Sequence, residues 1–142
     1  MDNINIIKGG VAVDDRGSVR FVNDFNFKNV KRFYQVSNHR QGFVRAWHGH
    51  EHEAKYVYVA KGSIKIGVVK FTDSKFPNIS EFILSDKNPN VLFIPKGYYN
   101  GFQTLEEDTI VMFFSTSTLD ESLGDDMRKD WDYWNIWEED QR

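Results

Sequence analysis

Short apolar and β-branched runs, separated by turn residues, recur along most of the chain and constrain its fold more than any other feature. KYVYVA and SIKIGVVKF alternate apolar and polar residues, whereas AKG, SDKNPN and PKG carry the Gly, Asp, Asn and Pro residues of turns. Many short strands at regular spacing are typical of β-sandwiches and barrels. The pattern therefore predicts an all-β domain, and no helical periodicity competes with it before Leu119.

The whole chain, residues 1–142, has the length of one domain. From Leu119 onward it becomes acidic and aromatic, and three of the four tryptophans lie between positions 131 and 137. We expect residues 119–142 to form a C-terminal extension that packs on the β domain or makes a dimer contact.

Composition excludes several classes of function. A net charge of −3 and a pI near 5.8 give no cluster of positive charge for phosphates, so we expect no nucleic-acid partner. The absence of cysteine excludes disulfide and thiolate chemistry. No apolar stretch approaches the roughly 18 residues of a membrane span, so we expect no membrane association and a cytoplasmic location.

Three of the four histidines lie within five positions, in WHGHEHEAK. On a strand, residues two apart share a face, so His48 and His50 are expected to project together. A metal site would add a carboxylate or a further histidine, but the next inward candidate is Lys55. Its charge repels a divalent cation and favours an anion. His52, between two glutamates, is interpreted as a solvated turn residue.

These residues resemble the two motifs of the cupins. The HxH pair at His48 and His50 lies between glycines at the spacing of the first motif, and IPKG matches the second. Lys55 stands where metal-binding cupins carry glutamate, and Asn100 stands at the position of the last histidine. Two of the four metal ligands are thus replaced. The resemblance implies a cupin jelly-roll β-barrel (a double-stranded β-helix) with no metal and no cofactor.

Within the cupins, the chain is similar to the dTDP-4-dehydrorhamnose 3,5-epimerases between residues 10 and about 120. The motifs that carry this similarity are DDRGSVRF, NHRQGFVRAWH, KYVYVAKG and IPKGYYNGF. The related dTDP-sugar 3,4-ketoisomerases are also similar, through RAWHGHE and through VKRFYQV around Tyr34. Both resemblances imply an enzyme that acts on a nucleotide-linked 4-keto-6-deoxy sugar, with dTDP as nucleotide, in deoxysugar and polysaccharide biosynthesis.

The resemblance also implies catalytic roles. The histidine matching His48 removes protons next to the 4-keto group, and the lysine matching Lys55 holds the enolate. This is sensible chemistry, because a neutral imidazole is a suitable base near pH 7 and a cation stabilises the developing oxyanion. A late aspartate orients the imidazole in the epimerases, and Asp132 is the candidate here.

Two departures leave the reaction open. Phe114 stands where the epimerases carry a tyrosine acid, and a phenyl ring donates no proton. Asn100 replaces a family histidine. Either Tyr34, Tyr98 or Tyr99 supplies the acid, or the protein is a ketoisomerase in which His50 is the second proton carrier. A non-catalytic cupin that binds a sugar or sugar nucleotide, and a metal-dependent cupin, stay open as alternatives.

The resemblance assigns the remaining site residues to substrate binding. Arg16 and Arg45 match arginines that contact the diphosphate, for which a bidentate guanidinium is well suited. Phe21 is placed to stack on the base. In this family the N-terminal strands cross into a second subunit, which implies a homodimer. The other expected substrate contacts are Asn38, Asn100 and Phe114.

Overall fold

The computed structural model describes residues 3–142, and their regular secondary structure is almost all β-strand. In chain order the elements are β1 Asn5–Lys8, β2 Gly10–Asp14, β3 Gly17–Phe21, β4 Arg32–Val36, β5 Val44–His50, β6 Lys55–Lys61, β7 Ser63–Lys70, β8 Ser80–Ser85, β9 Asn90–Ile94, β10 Tyr98–Thr104, β11 Ile110–Ser115, helix α1 Leu119–Leu123 and β12 Met127–Arg128. The all-β architecture predicted from the alternating runs is confirmed.

The strands form two antiparallel five-stranded sheets and one separate hairpin. One sheet has the order β1-β9-β6-β11-β4 and the other the order β12-β5-β10-β7-β8, while β2 pairs with β3. The crossovers between sequence neighbours are those of a jelly roll, in which the strands of two packed sheets alternate along the chain. Most of the core lies between these two sheets, where apolar residues of both meet.

Strand alternation decides which side chains enter this core. In β6, Val57 and Val59 are buried, and in β7, Ile64, Ile66 and Val68 are buried, each two residues from the next. Complete burial of one such side chain contributes about 1.5–3 kcal/mol. Because Lys55 shares the parity of Val57 and Val59, its side chain also points between the sheets.

The C-terminal extension covers the outer face of the second sheet. Trp134 and Trp137 are buried there against Trp47 and Tyr99, which point away from the main core. The indole N–H groups of Trp134 and Trp137 are both hydrogen-bonded, with Trp134 donating to the Ser74 carbonyl oxygen at 2.9 Å and Trp137 to the Trp131 carbonyl oxygen at 3.0 Å. The tryptophan-rich segment is thus a cover for β5 and β10, the strands that carry His48 and Asn100.

The short helix α1 follows β11 and is fixed at its N-terminus. Thr118 is the N-cap, and Thr118 and Glu121 form a reciprocal capping box. Glu121 also pairs with Lys31 at 3.0 Å, and these contacts, led by the Thr118 backbone N–H, lower the pKa of Glu121 to about 2. Within residues 3–142 the chain has no helix with the length and hydrophobicity required to span a bilayer.

Candidate active site

A cavity of about 260 Å³ lies between the two sheets, bordered on one side by α1 and β12. It brings together most of the site residues expected from the sequence: His48, His50, Lys55, Tyr34, Arg45 and Asn100 all line it. The other lining residues come from three strands (β4, β10 and β11) and the segment after β11: Arg32, Val36, Phe102, Phe113, Ser122, Leu123, Asp126 and Arg128.

A β-bulge in β5 places Arg45 on the same face as His48. Strict alternation sends residues three apart to opposite faces. However, Arg45 pairs with Phe102 and His48 pairs with Asn100, so β5 advances three residues while β10 advances two. Such an irregularity re-aims the side chains of the bulged strand. Both Arg45 and His48 therefore border the cavity.

The imidazole of His48 is half-buried, and its surroundings favour the neutral, unprotonated form. The pKa of His48 is lowered to about 4, chiefly by burial and then by the positive charges of Arg128 and Lys55, against the opposing effect of Asp126. Within the described residues 3–142 its ring makes no hydrogen bond. At neutral pH the imidazole is therefore uncharged, which is the state a general base requires.

This pKa predicts an acid-dependent stability. An unfolded His48 regains its ordinary pKa near 6.5, so between pH 6.5 and 4 the unfolded chain binds more protons than the folded chain. The free energy of unfolding is then expected to fall as the pH drops through that window. Urea unfolding at pH 7 and pH 4.5 should show a smaller loss for His48→Asn than for the wild type; equal losses would contradict the assignment.

His50 is buried and held in one orientation. Its Nδ1 lies 2.8 Å from the carbonyl oxygen of Asp125, and since a carbonyl only accepts, Nδ1 carries the proton. Nε2 is then the basic nitrogen of the neutral ring and lies 3.8 Å from a carboxylate oxygen of Glu53. Burial and Lys55 lower the pKa of His50, while Glu53 and Asp125 oppose this. The ring is a second neutral base in the cavity.

Positive charge dominates the cavity. Arg32, Lys55, Arg45 and Arg128 all line it, and among the described residues 3–142 the one lining carboxylate is that of Asp126. Lys55 is 8% exposed, so its ammonium acts in a poorly hydrated environment where a fixed cation interacts strongly with an anion. The arrangement suits a ligand that carries, or develops, negative charge.

Asn38 acts on Arg45 from outside the cavity. Arg45 Nε donates to Asn38 Oδ1 at 2.6 Å, and Asn38 Nδ2 lies 3.4 Å from Thr104 Oγ1. Asn38 does not line the cavity itself, although it was expected to contact substrate. Its contact holds the guanidinium of Arg45 at the cavity border, where it can meet phosphate oxygens.

The aromatic residue of β11 that faces the cavity is Phe113, not Phe114. Alternation in β11 buries Phe113 and turns Phe114 to the outer face, where it packs against Phe25 and Phe27. The expectation that Phe114 contacts substrate is therefore not supported by its position. The chemical consequence is unchanged, because Phe113 also lacks a proton to donate.

Of the three candidate tyrosines, Tyr34 is the one that lines the cavity. It faces Phe113 across β4 and β11, with the two rings stacked at 5.2 Å. Tyr98 packs against the main core, and Tyr99 points to the outer face beside Trp134. Of the three, Tyr34 is therefore the one whose phenol can meet a ligand in the cavity.

Three other expected site residues lie away from the cavity. Asp132 is exposed, and Asp126 is the aspartate beside His48. Arg16 and Phe21 lie on the β2–β3 hairpin, where exposed Arg16 binds Asp14 at 2.6 Å. Asp132 and Asp126 lie only six residues apart in the same acidic extension. The sequence alone therefore did not show which of the two aspartates lies beside the imidazole of His48.

Four charged residues in or beneath the cavity were not singled out by the sequence: Arg32, Glu53, Asp126 and Arg128. Arg32 has a signal, because it precedes Tyr34 by two residues on a strand and so shares its face. No sequence signal identifies Arg128, because β12 is only two residues long and shows no period. Arg128 reaches the site because it pairs with His48 on the neighbouring strand β5.

One cluster outside the cavity has the spacing of a metal site. In the part of the chain that the structure describes, ligand atoms of Glu51, His52 and Asp125 lie within 4.8 Å of one another. The Asp125 carboxylate already accepts the backbone N–H groups of Glu51, His52 and Glu53 at 2.8, 2.8 and 3.1 Å. These hydrogen bonds explain the position of the Asp125 carboxylate, which closes the turn. Neither His48 nor His50 belongs to the cluster of Glu51, His52 and Asp125.

A jelly-roll barrel with a histidine-lined cavity between its sheets defines a protein of the cupin class. A sequence model of the family described as dTDP-4-dehydrorhamnose 3,5-epimerase matches residues 1–132. The chain belongs to this family. Sequence similarity extends to the spore coat polysaccharide biosynthesis protein SpsL of Bacillus subtilis, which is 25% identical over 137 residues, covering 93% of this chain and 91% of SpsL.

Solved structures of two activities resemble the fold. The dTDP-4-dehydrorhamnose 3,5-epimerase of Sulfolobus tokodaii has a TM-score of 0.74 and 27% identity, covering 93% of this chain and 80% of that chain. The structure of QdtA, a sugar 3,4-ketoisomerase of Thermoanaerobacterium thermosaccharolyticum in complex with TDP, has a TM-score of 0.70 and 20% identity. The match covers 92% of this chain and 91% of the QdtA chain. The fold is therefore shared by both kinds of isomerase.

Proposed function

We propose that the protein is a metal-independent epimerase or isomerase of a dTDP-linked 4-keto-6-deoxy sugar, serving deoxysugar or surface polysaccharide biosynthesis. One observation carries the proposal: His48, whose pKa is lowered to about 4, lines the same cavity as the buried ammonium of Lys55. A neutral base beside a fixed cation is what proton removal next to a ketone requires. Membership of the family agrees with this chemistry.

In the proposed reaction, His48 takes a proton from a carbon next to the ketone. The C–H electron pair forms the enolate double bond, and the carbonyl electrons move to oxygen. The ammonium of Lys55 stabilises this oxyanion. Return of a proton to the same carbon from the opposite face, with the electrons returning to re-form the ketone, gives an epimer. For the 3-keto isomer, the C3 hydroxyl loses its proton and the C4 oxyanion gains one, so that protonation of the former carbonyl carbon leaves a C3 ketone and a C4 hydroxyl. The proton balance closes within the site, without an oxidant or reductant.

The 3,5-epimerase reaction requires an acid on the face opposite His48, and we propose Tyr34 for that role. It is the tyrosine among the cavity-lining residues, and Arg32 lies over its ring with the guanidinium carbon 5.0 Å from the centroid. In the part of the lining that the structure describes, Tyr34 is the one phenol, and Phe113 beside it has no hydroxyl group.

The 3,4-ketoisomerase reaction is the second candidate, and the geometry of His50 favours it. The Nδ1 hydrogen bond to Asp125 leaves Nε2 of His50 as a free base in the same cavity as His48. Two neutral imidazoles on one strand face provide a carrier for removal and a carrier for return of the proton. Tyr34 is not needed in this version.

We propose that dTDP binds where Arg45 and Arg128 border the cavity. Two guanidinium groups are suited to a diphosphate, and Arg45 is pre-oriented by Asn38. The similar ketoisomerase QdtA is described in complex with TDP. Asn100, 5% exposed and bonded to the His48 carbonyl oxygen at 3.3 Å, borders the sugar region.

We propose further that the protein works as a cytoplasmic homodimer. Within residues 3–142, β2 and β3 pair only with each other, and Val13 and Val19 are 76% and 64% exposed on this hairpin. Transfer of the hairpin onto a second copy would bury these side chains and bring Arg16 and Phe21 to the other copy's cavity. Sedimentation equilibrium is expected to give a dimer, and Val13→Glu to weaken it; a wild-type monomer would refute this.

Proton NMR of the wild type with dTDP-4-keto-6-deoxyglucose in deuterated water tests the reaction. Deuterium at C3 and C5 with inverted configuration supports the epimerase, whereas a 3-keto product that carries deuterium at C4 and none at C5 supports the ketoisomerase. Saturable binding of the nucleotide sugar without exchange would overturn the enzymatic proposal and leave a binding protein.

A further inference from the structure

Glu53 is a fully buried carboxylate beneath the cavity that the reaction described above does not use. Its side chain is 0% exposed, and within residues 3–142 neither carboxylate oxygen has a hydrogen-bond partner. Three cationic or basic groups surround it: Arg32 Nη2 and Lys55 Nζ at 3.6 Å each, and His50 Nε2 at 3.8 Å. Its position therefore depends on charge rather than on hydrogen bonds.

The backbone on both sides of Glu53 fixes where this charge lies. Its N–H donates to the Asp125 carboxylate at 3.1 Å. The next residue, Ala54, donates to Thr116 Oγ1 at 2.9 Å and accepts the Thr116 N–H at 3.1 Å. The carboxylate is thus anchored between the end of β5 and the start of β6, the two strands that carry His50 and Lys55.

All three neighbours of the Glu53 carboxylate line the cavity. A purely structural ion cluster has no reason to select only groups that face the cavity. The separation of 3.6 Å is also longer than an ordinary charged hydrogen bond. The ammonium of Lys55 is attracted towards Glu53 while, in the part of the chain described by the structure, its donors form no hydrogen bond. They are free to meet a substrate oxygen.

We propose that Glu53 is a positioning residue, which sets the direction of the Lys55 ammonium and the Arg32 guanidinium. The inference rests on the proposed function, because it assigns Lys55 to the enolate oxygen. Glu53 touches no substrate. It acts by fixing the cation before the reaction, so that charge stabilisation requires no rearrangement when the enolate forms.

The kinetic test compares Glu53→Gln with Glu51→Gln, a matched change at an exposed glutamate of the same turn. Rates are expressed per dTDP-binding site, which corrects for any unfolded fraction. Glu53→Gln is expected to lower kcat by about 100-fold, the effect of misplacing a reacting group by about 1 Å, with little change in KM. Glu51→Gln is expected to behave as the wild type. An unchanged kcat in Glu53→Gln would overturn the inference.

Glu53→Asp provides the second variant, and it keeps the charge if the glutamine variant fails to fold. Glu53→Asp shortens the side chain by one methylene group and so withdraws the carboxylate from its neighbours. We expect its kcat to lie between those of the wild type and Glu53→Gln. If Glu53→Gln does not fold, the kcat of Glu53→Asp should still be well below that of the wild type. A wild-type kcat in Glu53→Asp together with the loss of folding in Glu53→Gln would assign Glu53 to structure alone.

An NMR measurement separates this inference from the proposed function. Nitrogen-15 spectra are expected to show a slowly exchanging ammonium signal for Lys55 in the wild type and in Glu51→Gln, assigned by its loss in Lys55→Arg. The signal should shift or broaden in Glu53→Gln. An unaltered signal overturns the positioning role whatever the activity, whereas a wild type that exchanges no deuterium refutes the proposed reaction by itself.

Discussion

His48→Asn is expected to abolish deuterium exchange next to the ketone, lowering the rate by roughly 10³-fold, within the range that general bases contribute. Asparagine keeps a planar polar group but has no basic nitrogen near pH 7. The imidazole makes no hydrogen bond in the described part of the chain, so its removal should leave the barrel intact. The rate of C3 deuterium incorporation measures the effect directly.

The matched control is His52→Asn, because His52 is exposed and lies in the turn four residues further on. It should exchange deuterium at the wild-type rate. Titration with dTDP should give similar affinities for both variants, since His48 is assigned to chemistry and not to the nucleotide. Exchange in His48→Asn within tenfold of the wild type would remove His48 from the role of base.

His50→Asn in the same assay separates the two candidate reactions. If the protein is a ketoisomerase, exchange at C3 should persist while formation of the 3-keto product stops, because only the returning carrier is lost. If it is an epimerase, product formation should continue at a reduced rate. The prediction depends on the free Nε2 of His50, which the Nδ1 contact with Asp125 defines.

The sequence predicted the architecture and the centre of the site because both depend on short-range rules. Alternation within β6 and β7 requires no knowledge of the partner strands, and Lys55, expected to point inward, is buried between the sheets. The same rule grouped His48 with His50 on β5, which both line the cavity. Strand period and residue chemistry were sufficient for these residues.

The remaining site residues depend on register and on long-range pairing, which a single sequence does not encode openly. Phe113 and Phe114 are adjacent and identical, so a motif match cannot decide which of them points inward; the pairing of Phe113 with Tyr34 decides it. Asp126 and Arg128 reach His48 through a two-residue strand, which is too short to show a period.

Glu53 shows a different limit. In the sequence it stands beside His52 and Glu51 in a charged turn, where a solvated carboxylate is the ordinary expectation. The turn is folded back by Asp125, so that Glu51 and His52 are exposed while Glu53 is buried. A distant side chain therefore determines which of two neighbouring glutamates enters the site.

Lys55→Met is the second substitution with a large expected effect, because it removes the cation assigned to the enolate oxygen. We expect kcat to fall by roughly 10²–10³-fold, as when one oxyanion donor is lost, with a smaller change in KM. Methionine has a similar shape and length, so the packing against Tyr34 and Phe113 should be retained. Deuterium exchange at C3 should fall with kcat, since both pass through the enolate.

The same variant should lose stability, because the buried carboxylate of Glu53 loses the ammonium of Lys55. Arg32 then remains as its neighbouring fixed cation. Removal of one partner from a buried ion pair costs about 3–5 kcal/mol, and the remaining guanidinium places the expected loss near about 3 kcal/mol. Lys55→Arg keeps the charge and should restore stability more than kcat, because its planar guanidinium directs donors differently. A stable Lys55→Met protein with wild-type kcat would show that neither the enolate nor Glu53 depends on this ammonium.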